Sequence, residues 1–322
     1  MAANTAGTTL EVEVATVIDG DTFKVHFDEA TTGESDLVNL RILGLDTEET
    51  HAGVGKPKTP WGEKAKEHAK GLVPEGSSVT IEFPGTESID ECLRRYRGNY
   101  GRPLVFVHVD GEDYQEHMIR KGYSPYFTKY GYAVFDDHHR RYREAEQNAQ
   151  ADDIGVWNQS KVNGSVMREY EPLRSWWTLR AEMVRRYRSA ADDESILDTR
   201  QDYHEIETSV GEELTVFTEL DGYERAGEKH AIVKIGSKEQ PFQLFLPDAL
   251  ETEGGQRLIS LLEKRYIAKS DGESVQRPNR SYAFVTGTVK QYPEEDGNPE
   301  IVVESIDQLA DVPPETSDSA GE

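Results

Sequence analysis

The first half of the chain alternates apolar and polar residues in short runs, separated by runs with helical spacing. Alternation with a period of two is typical of half-buried strands. It predicts strands at 10–17, 21–27, 38–45, 78–83 and 103–109. Helical spacing predicts helices at about 60–73, 113–121 and 136–152, with Gly122 ending the second. Five short strands interleaved with helices favour a small closed antiparallel barrel with helices packed on it.

A long helix and a second set of strands follow. Residues 165–190 predict one helix, because Trp176, Leu179, Met183 and Tyr187 lie along one face. This helix is rich in arginine, and the acidic stretch 191–207 after it is typical of an inter-domain connector. Beyond residue 209, alternation predicts strands at 214–220, 230–236, 242–246, 283–290 and 300–305, with a helix at about 248–264.

A chain of 322 residues is long enough for two domains. We expect a first domain at 8–160, a helical and acidic linker at 161–208, a second β-rich domain at 209–311 and a disordered tail at 312–322. No apolar run approaches the roughly 20 residues that cross a bilayer. The N-terminus has no signal-peptide pattern, and Cys92 is the only cysteine. These features predict a cytoplasmic protein with no membrane partner; they leave its oligomeric state open.

The net charge of −25 changes the picture, because proteins that bind polyanions are usually basic. The acidic residues are spread along the chain, and lysine is scarcer than arginine. This composition favours a halophilic protein that works in high salt, where screening removes self-repulsion. The alternative is an ordinary acidic cytosolic protein. The charge therefore argues neither for nor against a nucleic-acid partner.

Three clusters of polar residues stand at the ends of predicted strands: 17–22 (VIDGDT), 41–50 (RILGLDTEET) and 100–102 (YGR). Each has an ordinary structural explanation, since Asp-Gly is a common hairpin turn and the other strings are short. Together they supply oxygen ligands for a hard cation and arginine forks for phosphate. A remaining carboxylate is available as a base for an attacking water molecule.

These clusters resemble the staphylococcal nuclease (thermonuclease) family, whose motifs occur here in order as VIDGDTF, RILGLDTEET and YGRPL, followed by IGVW. The resemblance spans about residues 10–157. It implies a calcium-dependent nuclease that hydrolyses phosphodiester bonds of DNA, RNA or both. Its implied Ca²⁺ ligands are the carboxylates of Asp21 and Asp46 and the backbone carbonyl of Thr47.

The resemblance also implies roles for six further residues. Arg41 and Arg102 would bind the phosphate and stabilise its developing charge, and Glu49 would act as general base. Tyr100 would contact a phosphate, and Tyr126 or Tyr130 would stack on a base.

Some residues depart from the family pattern. Glu48 replaces the usual proline after the Asp-Thr pair, and would either strengthen metal binding or repel the substrate. Gly98 stands where many members have an acidic residue, and the arginine-rich segment 86–97 suggests an altered substrate loop. His138 and His139 lie on a charged helix, so we expect them to be solvated rather than metal-binding. Cys92 has no identifiable histidine partner and is not expected to be a nucleophile.

The segment 282–312 resembles the closing strands of OB-fold nucleic-acid-binding domains. With it, the predicted fold class is mainly β with helices (α+β): two five-stranded OB-like barrels joined by a helical linker. The resemblance implies a module that holds single-stranded substrate by stacking aromatic residues on bases. Strand alternation nevertheless favours a core position for each of the candidates, which are Phe217, Phe242, Phe245, Tyr282 and Phe284.

Two alternatives to this two-domain nuclease remain. One is a catalytically silent scaffold that binds nucleic acid, which usually shows loss of the acidic and arginine residues. Asp21, Arg41, Asp46, Glu49 and Arg102 are all present, so an active enzyme is favoured. The other alternative is that residues 209–311 bind a protein partner and only the first domain contacts nucleic acid.

Overall fold

The computed structural model describes residues 5–28, 32–33, 36–50, 59–158, 168–190, 196–270, 274–295 and 297–314. The chain divides into two compact units. The first comprises Met1–Thr128 and Tyr132–Arg174, and the second comprises Lys129–Gly131 and Ser175–Glu322. Within the described ranges, every helix is too short or too polar to cross a membrane.

The sheet of the first unit contains the five strands predicted from alternation and one short addition. The strands are β1 (Thr9–Asp19), β2 (Thr22–His26), β3 (Leu37–Ile42), β4 (Ser78–Glu82), β5 (Leu104–Val109) and β6 (Glu112–Asp113). They are ordered β3-β2-β1-β4-β5-β6. A parallel pairing of β3 with β5 joins Arg41 to Leu104 and Ile42 to Val105, which closes five strands into a barrel. The predicted first barrel is therefore confirmed.

Helices surround this barrel: α1 (Pro60–Leu72), α2 (Ile89–Arg95), α3 (Tyr114–Arg120), α4 (Asp136–Ala151) and a 3₁₀ turn at Gly155–Trp157. Side chains cap three of the helices, since Thr59, Ser88 and Asp113 accept backbone N–H groups of the first turns of α1, α2 and α3. Trp157, at the end of this turn, is buried, with an exposed fraction of 8%.

Helix α2 lies within the segment 86–97, for which the sequence suggests a substrate loop. Two of its arginines bind acidic neighbours, because Arg94 lies 2.5 Å from Glu91 and Arg95 lies 3.6 Å from Glu87. The segment is therefore a capped helix, and the loop expectation is wrong for residues 89–95. Local ion pairs engage Arg94 and Arg95, and Arg97 donates to the backbone carbonyls of Leu93 and Gly101.

Helix α5 (Tyr170–Ala190) contains the boundary between the units, which falls after Arg174. The part of the prediction at 165–167 lies outside the described residues. In the second unit, Trp176, Met183 and Tyr187 of the predicted stripe are buried. The periodicity therefore identified the face that packs.

The second unit contains β7 (Ile196–Asp198), α6 (Tyr203–Thr208), β8 (Glu213–Glu219), β9 (Glu224–Ala226), β10 (His230–Lys234), β11 (Gln243–Leu246), α7 (Glu253–Leu261), β12 (Lys269–Ser270), β13 (Val275–Arg277), β14 (Tyr282–Tyr292), β15 (Asn298–Val302) and β16 (Leu309–Ala310). A π-helical turn, Leu262–Tyr266, follows α7. The acidic connector expected at 191–207 thus contributes a strand and a helix in its described part.

The main sheet of the second unit is ordered β7-β8-β14-β15-β11-β10-β9, and β16 pairs with β14. Strands β11 and β15 are parallel. Among the described residues the two ends of this order do not pair, so the predicted second closed barrel is not shown. The part of the predicted tail beyond residue 314 lies outside the described residues.

The five aromatic candidates of the second unit are mostly core residues, as alternation suggested. The exposed fractions of Phe217, Phe242, Tyr282 and Phe284 are 1%, 2%, 7% and 1%. Phe245 is half-buried and packs on His230, with 5.3 Å between ring centroids. Four of the five side chains are therefore closed to a stacking base.

Candidate active site

Asp21 lies in the two-residue turn that joins β1 to β2. Asp19 pairs with Thr22 across this turn, so Gly20 and Asp21 form its tip. A Cβ atom on Gly20 would lie 2.7 Å from Cγ2 of Thr47, which is closer than such atoms approach. Glycine therefore allows the turn to pack against the loop after β3.

The carboxylate of Asp21 is 7% exposed and fully engaged. Its Oδ2 accepts the N–H of Thr47 at 3.0 Å and lies 2.5 Å from Nη1 of Arg41. Its Oδ1 accepts the hydroxyl of Thr22 at 2.8 Å. A buried carboxylate is costly unless it is paired and hydrogen-bonded, and these contacts meet that requirement.

Arg41 joins the two carboxylates that the sequence predicted as metal ligands. It lies on β3, opposite Thr22 on β2 and beside Leu104 on β5. Its Nη1 contacts Asp21, and its Nη2 lies 3.4 Å from Oδ1 of Asp46. Barrel closure therefore places a guanidinium between two carboxylates from different loops.

The loop after β3 carries Asp46, Thr47 and Glu49. The N–H of Asp46 donates to the hydroxyl of Ser124 at 2.9 Å, which anchors the loop. Thr47 is 7% exposed, and its hydroxyl is buried with no hydrogen-bond partner among the described residues. Glu49 comes two residues later. It is near enough to Asp19 for its negative charge to raise the pKa of Asp19.

Asp19 is an acidic residue of the site that the sequence analysis did not assign, although it belongs to the VIDGDT motif. Its carboxylate accepts the hydroxyl of Thr50 at 2.8 Å. Burial raises the pKa of Asp19; the Thr50 hydrogen bond opposes this, and the charge of Asp21 raises the pKa further. The turn and loop therefore concentrate negative charge, as a cation site requires.

Tyr100 and Arg102 come just before β5. The carbonyl of Pro103 accepts the N–H of Arg41 at 2.9 Å, so Arg102 directly precedes the segment that pairs with the strand of Arg41. The guanidinium of Arg102 lies 5.7 Å from the ring centroid of Tyr100, which is 82% exposed. The two residues thus occupy the strand end next to Arg41.

Two residues that the sequence analysis missed contact the same loop from the start of α5. Nη1 of Arg168 lies 2.7 Å from Oδ2 of Asp46. The hydroxyl of Tyr170 donates to Oε1 of Glu48 at 2.8 Å. Burial raises the pKa of Tyr170 well above its ordinary value, and the charge of Glu48 raises it further, so the hydroxyl stays a donor. The arginine-rich composition of this helix was visible, but its contact with the loop was not.

The two tyrosines suggested for base stacking have other surroundings. Tyr126 is 5% exposed, and its hydroxyl accepts the N–H of Ala133 at 2.7 Å and lies 3.0 Å from Nδ1 of His139. A stacking role for Tyr126 is therefore contradicted by its burial. Tyr130 is 44% exposed and belongs to the second unit, so its stacking role stays a prediction.

The donors at Asp21 and Asp46 fit a hard cation such as Ca²⁺. Carboxylates and backbone carbonyls are the ligands this ion prefers. Guanidinium groups of Arg41 and Arg168 take the place of such a cation beside the two carboxylates.

Within the described ranges, one group of His, Cys, Asp or Glu side chains has the spacing of a metal site: Glu82, His108 and His138. Oε2 of Glu82 lies 2.6 Å from Nε2 of His108 and 3.0 Å from Nε2 of His138. Its Oε1 accepts the N–H groups of Ala6 and Gly7. Four donors saturate this carboxylate, so we describe the group as a hydrogen-bonded network of the core.

The expectation that both histidines of α4 are solvated is wrong for His138, which is 1% exposed. Helix α4 packs this residue against Phe106 on the barrel, where it reaches Glu82. Cys92 is buried, and burial together with the charge of Glu87 raises its pKa to about 11. A thiol with so high a pKa is a poor nucleophile, which supports the expectation for Cys92.

Comparisons with known proteins find relatives of the part of the chain that carries this site. Residues 39–159 match the family described as staphylococcal nuclease homologue. Endonuclease YncB of Bacillus subtilis (strain 168) is 34% identical over 154 residues, which are 47% of this chain and 63% of that protein. SPbeta prophage-derived endonuclease YokF of the same organism is 31% identical over 154 residues, which are 47% of this chain and 45% of that protein. The chain thus spans less than two thirds of the length of either relative.

The fold and the site define a closed five-stranded barrel with acidic residues and arginines at one end. Residues 39–159 are a staphylococcal nuclease domain, as the motifs indicated. This range contains Arg41, Asp46 and Arg102 but begins after Asp21. The contact between Asp21 and Arg41 brings the preceding hairpin into the same site.

Proposed function

We propose that this protein is a nuclease that hydrolyses phosphodiester bonds of DNA or RNA with Ca²⁺ as its cofactor. The observation that carries the proposal is the position of Arg41, which lies 2.5 Å from Asp21 and 3.4 Å from Asp46 within a nuclease-type domain. Two relatives with the name endonuclease support cutting within the chain of the substrate.

Different residues of the site bind the ion and the phosphate. Asp21, Asp46 and the backbone carbonyl of Thr47 would hold the ion. When bound, Ca²⁺ supplies positive charge that polarises a phosphate oxygen and neutralises charge in the transition state. Arg41 and Arg102 present planar forks that suit the phosphate oxygens.

Glu49 and Tyr100 complete the proposed site. Glu49 takes a proton from the attacking water, a contribution worth about 10²–10⁴-fold in rate. Tyr100 is exposed beside Arg102, where its hydroxyl contacts a neighbouring phosphate of the substrate.

The test is cleavage of labelled single-stranded DNA, double-stranded DNA and RNA, with Ca²⁺ and with chelator, at low and multimolar salt. The acidic composition supports activity that persists in multimolar salt. Glu49→Gln should lower the calcium-dependent rate by about 10²–10⁴-fold without changing the unfolding transition. Glu67→Gln removes the same charge from the exposed face of α1 and is the matched control. Equal rates for Glu49→Gln and the wild type would refute this mechanism. Binding without cleavage by the wild type would support the silent scaffold instead.

We also propose that the second unit is an OB-like module that holds single-stranded nucleic acid. Its strands β8, β14, β15, β11 and β10 have the same neighbour order as β1, β4, β5, β3 and β2 of the first barrel. In both orders the third strand pairs in parallel with the fourth, β5 with β3 and β15 with β11. This shared order supports the relation to OB folds.

A cationic cleft in the second unit supports binding of phosphates rather than stacking of bases. Arg257, Lys264, Arg265 and Arg280 line a cleft of about 520 Å³. Asp311 orders two of them, because its carboxylate lies 3.0 Å from Nε of Arg265 and 3.2 Å from Nε of Arg280. Four cations in one cleft are unusual in a chain of net charge −25, and phosphate is the anion that arginine forks suit.

Binding of single-stranded DNA by the full chain, with chelator present and across a salt series, tests this role. Lys264→Glu should weaken binding and lower the slope of log K against log salt by about one. Lys290→Glu makes the same charge change on the exposed face of β14 and should have a smaller effect. No difference between the two variants would contradict the cleft. An unchanged affinity in both would favour a protein partner for this unit.

A further inference from the structure

The segment in front of α5 contacts the active-site loop at two points. Arg168 lies 2.7 Å from Asp46, and Tyr170 donates a hydrogen bond of 2.8 Å to Glu48. The guanidinium of Arg168 also lies 5.3 Å from the ring centroid of Tyr170. Arg168 and Tyr170 are 9% and 3% exposed and are therefore buried, whereas the side chain of Asp46 is 21% exposed and stays accessible to solvent.

The contact with Tyr170 explains an unusual residue of the loop. Glu48 stands where the resembling family usually has proline, and its side chain is 2% exposed. A carboxylate buried to this degree is costly unless a donor satisfies it. Tyr170 supplies a donor to Oε1, whereas Oε2 is buried with no hydrogen-bond partner among the described residues. Glu48 and Tyr170 thus form a pair that connects the loop to the start of α5. The side chain of Glu48 therefore points to the start of α5.

The contact with Arg168 bears directly on ion binding. Asp46 has a guanidinium beside each carboxylate oxygen, Arg41 at Oδ1 and Arg168 at Oδ2. A divalent cation on Asp46 repels a guanidinium that holds the same carboxylate. Arg168 must then move to another anion, and the substrate phosphate is the anion that comes to this site. Arginine binds phosphate through short charge-assisted hydrogen bonds.

We propose that Arg168 is a third phosphate-binding arginine of this site, which exchanges Asp46 for a substrate phosphate when Ca²⁺ binds. Tyr170 is the positioning residue, because its hydroxyl is fixed by Glu48 and its ring lies against Arg168. The inference rests on the proposed function. It makes calcium and substrate binding mutually strengthening, since each ligand removes a competitor of the other, and such coupling is reciprocal.

Calorimetric titration of the full chain with Ca²⁺, alone and with a short single-stranded oligothymidylate, tests the coupling. Glu49→Gln serves as the common background, so that the DNA is not cleaved during the measurement. Arg168→Gln should raise calcium affinity without DNA by about fivefold or more, because a competing cation is removed. The strengthening of calcium binding by DNA should largely disappear in this variant.

Arg174→Gln, on the first turns of α5, is the matched control. Arg174 lies 2.8 Å from Glu146 on α4 and should leave both calcium affinities unchanged. Tyr170→Phe keeps the ring and removes the hydrogen bond to Glu48, so it should reproduce part of the Arg168→Gln effect. This variant also serves if Arg168→Gln fails to fold, which circular dichroism would reveal.

The outcomes separate this inference from the proposed function. Equal calcium affinities, with equal strengthening by DNA, in the background protein and both variants would overturn the role of Arg168 alone. No calcium binding by any of the proteins would overturn both this inference and the calcium requirement. With Glu49 restored, Arg168→Gln should raise KM for DNA more than it lowers kcat.

Discussion

In the main sheet of each unit, five strands lie next to one another in the same order. The two units differ at the end of the strand that comes first in this order, which is β1 in the first unit and β8 in the second. In the first unit, β1 ends in Asp19, Gly20 and Asp21 come next, and the side chain of Arg41 beside Asp21 is 17% exposed. In the second unit, β8 ends at Glu219 and leads to Asp221, and the side chain of Arg180 beside Glu219 is 0% exposed. Both acids are thus buried, but the arginine beside Asp21 is partly exposed and the arginine beside Glu219 is fully buried.

This difference shows that strand order alone does not make a site. Closure of the first barrel brings the β1–β2 turn to the loop after β3, and the carboxylates there meet arginines that a ligand can reach. In the second unit, the fully buried Arg180 contacts one oxygen of Glu219, and the partly exposed Arg200 contacts the other. The first arrangement favours binding, whereas the second favours stability of the fold.

The largest expected effect is the loss of stability when Glu219, the acid beside the buried Arg180, is replaced. Glu219→Gln leaves the buried guanidinium of Arg180 without its charged partner, and should lower the free energy of unfolding by about 3–5 kcal/mol. Asp21→Asn, the matched change in the first unit, should abolish most cleavage with a smaller loss of stability. Urea unfolding and cleavage assays on both variants check this contrast, which a larger stability loss for Asp21→Asn would reverse.

The next effect concerns the glycine after the first strand of each unit. Gly20→Ala places a Cβ 2.7 Å from Thr47 and displaces the turn that carries Asp21. Because a shift of about 1 Å costs roughly 10²-fold in rate, cleavage should fall by that order. Gly222 has open space at its Cβ position, so Gly222→Ala is the control and should leave the rate unchanged. Wild-type rates for Gly20→Ala would mean that the turn does not position Asp21.

The buried acid of the first barrel predicts a loss of stability in acid. Burial alone would raise the pKa of Glu82, but hydrogen bonds from His108, His138 and backbone N–H groups lower it well below its ordinary value. The folded state therefore binds this proton less tightly than the unfolded chain, whose glutamates titrate near about 4.3. The contribution of ionised Glu82 is complete above that pH and is lost as the pH falls below it.

Unfolding free energies measured from about pH 6 to about pH 3 check this dependence. Glu82→Gln should lower stability by about 1.5–3 kcal/mol at neutral pH and remove part of the decline in acid. An equally steep decline in the variant would show that other groups control it.

The smallest expected effect is the pH dependence of stability caused by Asp221 in the second unit, and it has the opposite sign to that of Glu82. Burial raises the pKa of Asp221 to about 6, and the charge of Glu219 adds to the increase. The folded state binds this proton more tightly than the unfolded chain, so stability falls as the pH rises from about 4 to about 6. Asp221→Asn should stabilise the protein by about 1 kcal/mol at pH 8 and have little effect at pH 4. Thermal unfolding at these two pH values measures it, and equal shifts at both would exclude the ionisation of Asp221 as the cause.

The sequence by itself determined the strands of the first barrel and the chemistry at their ends. Alternation located β1 to β5 to within a few residues, because each strand has one face in the core. Asp21, Arg41 and Asp46 were identified from short strings, because ligand type is a property of the residue and a hairpin tip is local. Arg41 does lie between the two carboxylates, as those strings implied.

The tertiary structure alone decided which buried charges pair and where each sheet ends. Arg168 meets Asp46 across 122 residues, and His138 meets Glu82 across 56. Periodicity shows which face of an element is buried but does not identify the partner on the facing element. For the same reason, the enclosure of Glu219 by Arg180 and the closure of the first barrel depend on packing between distant segments.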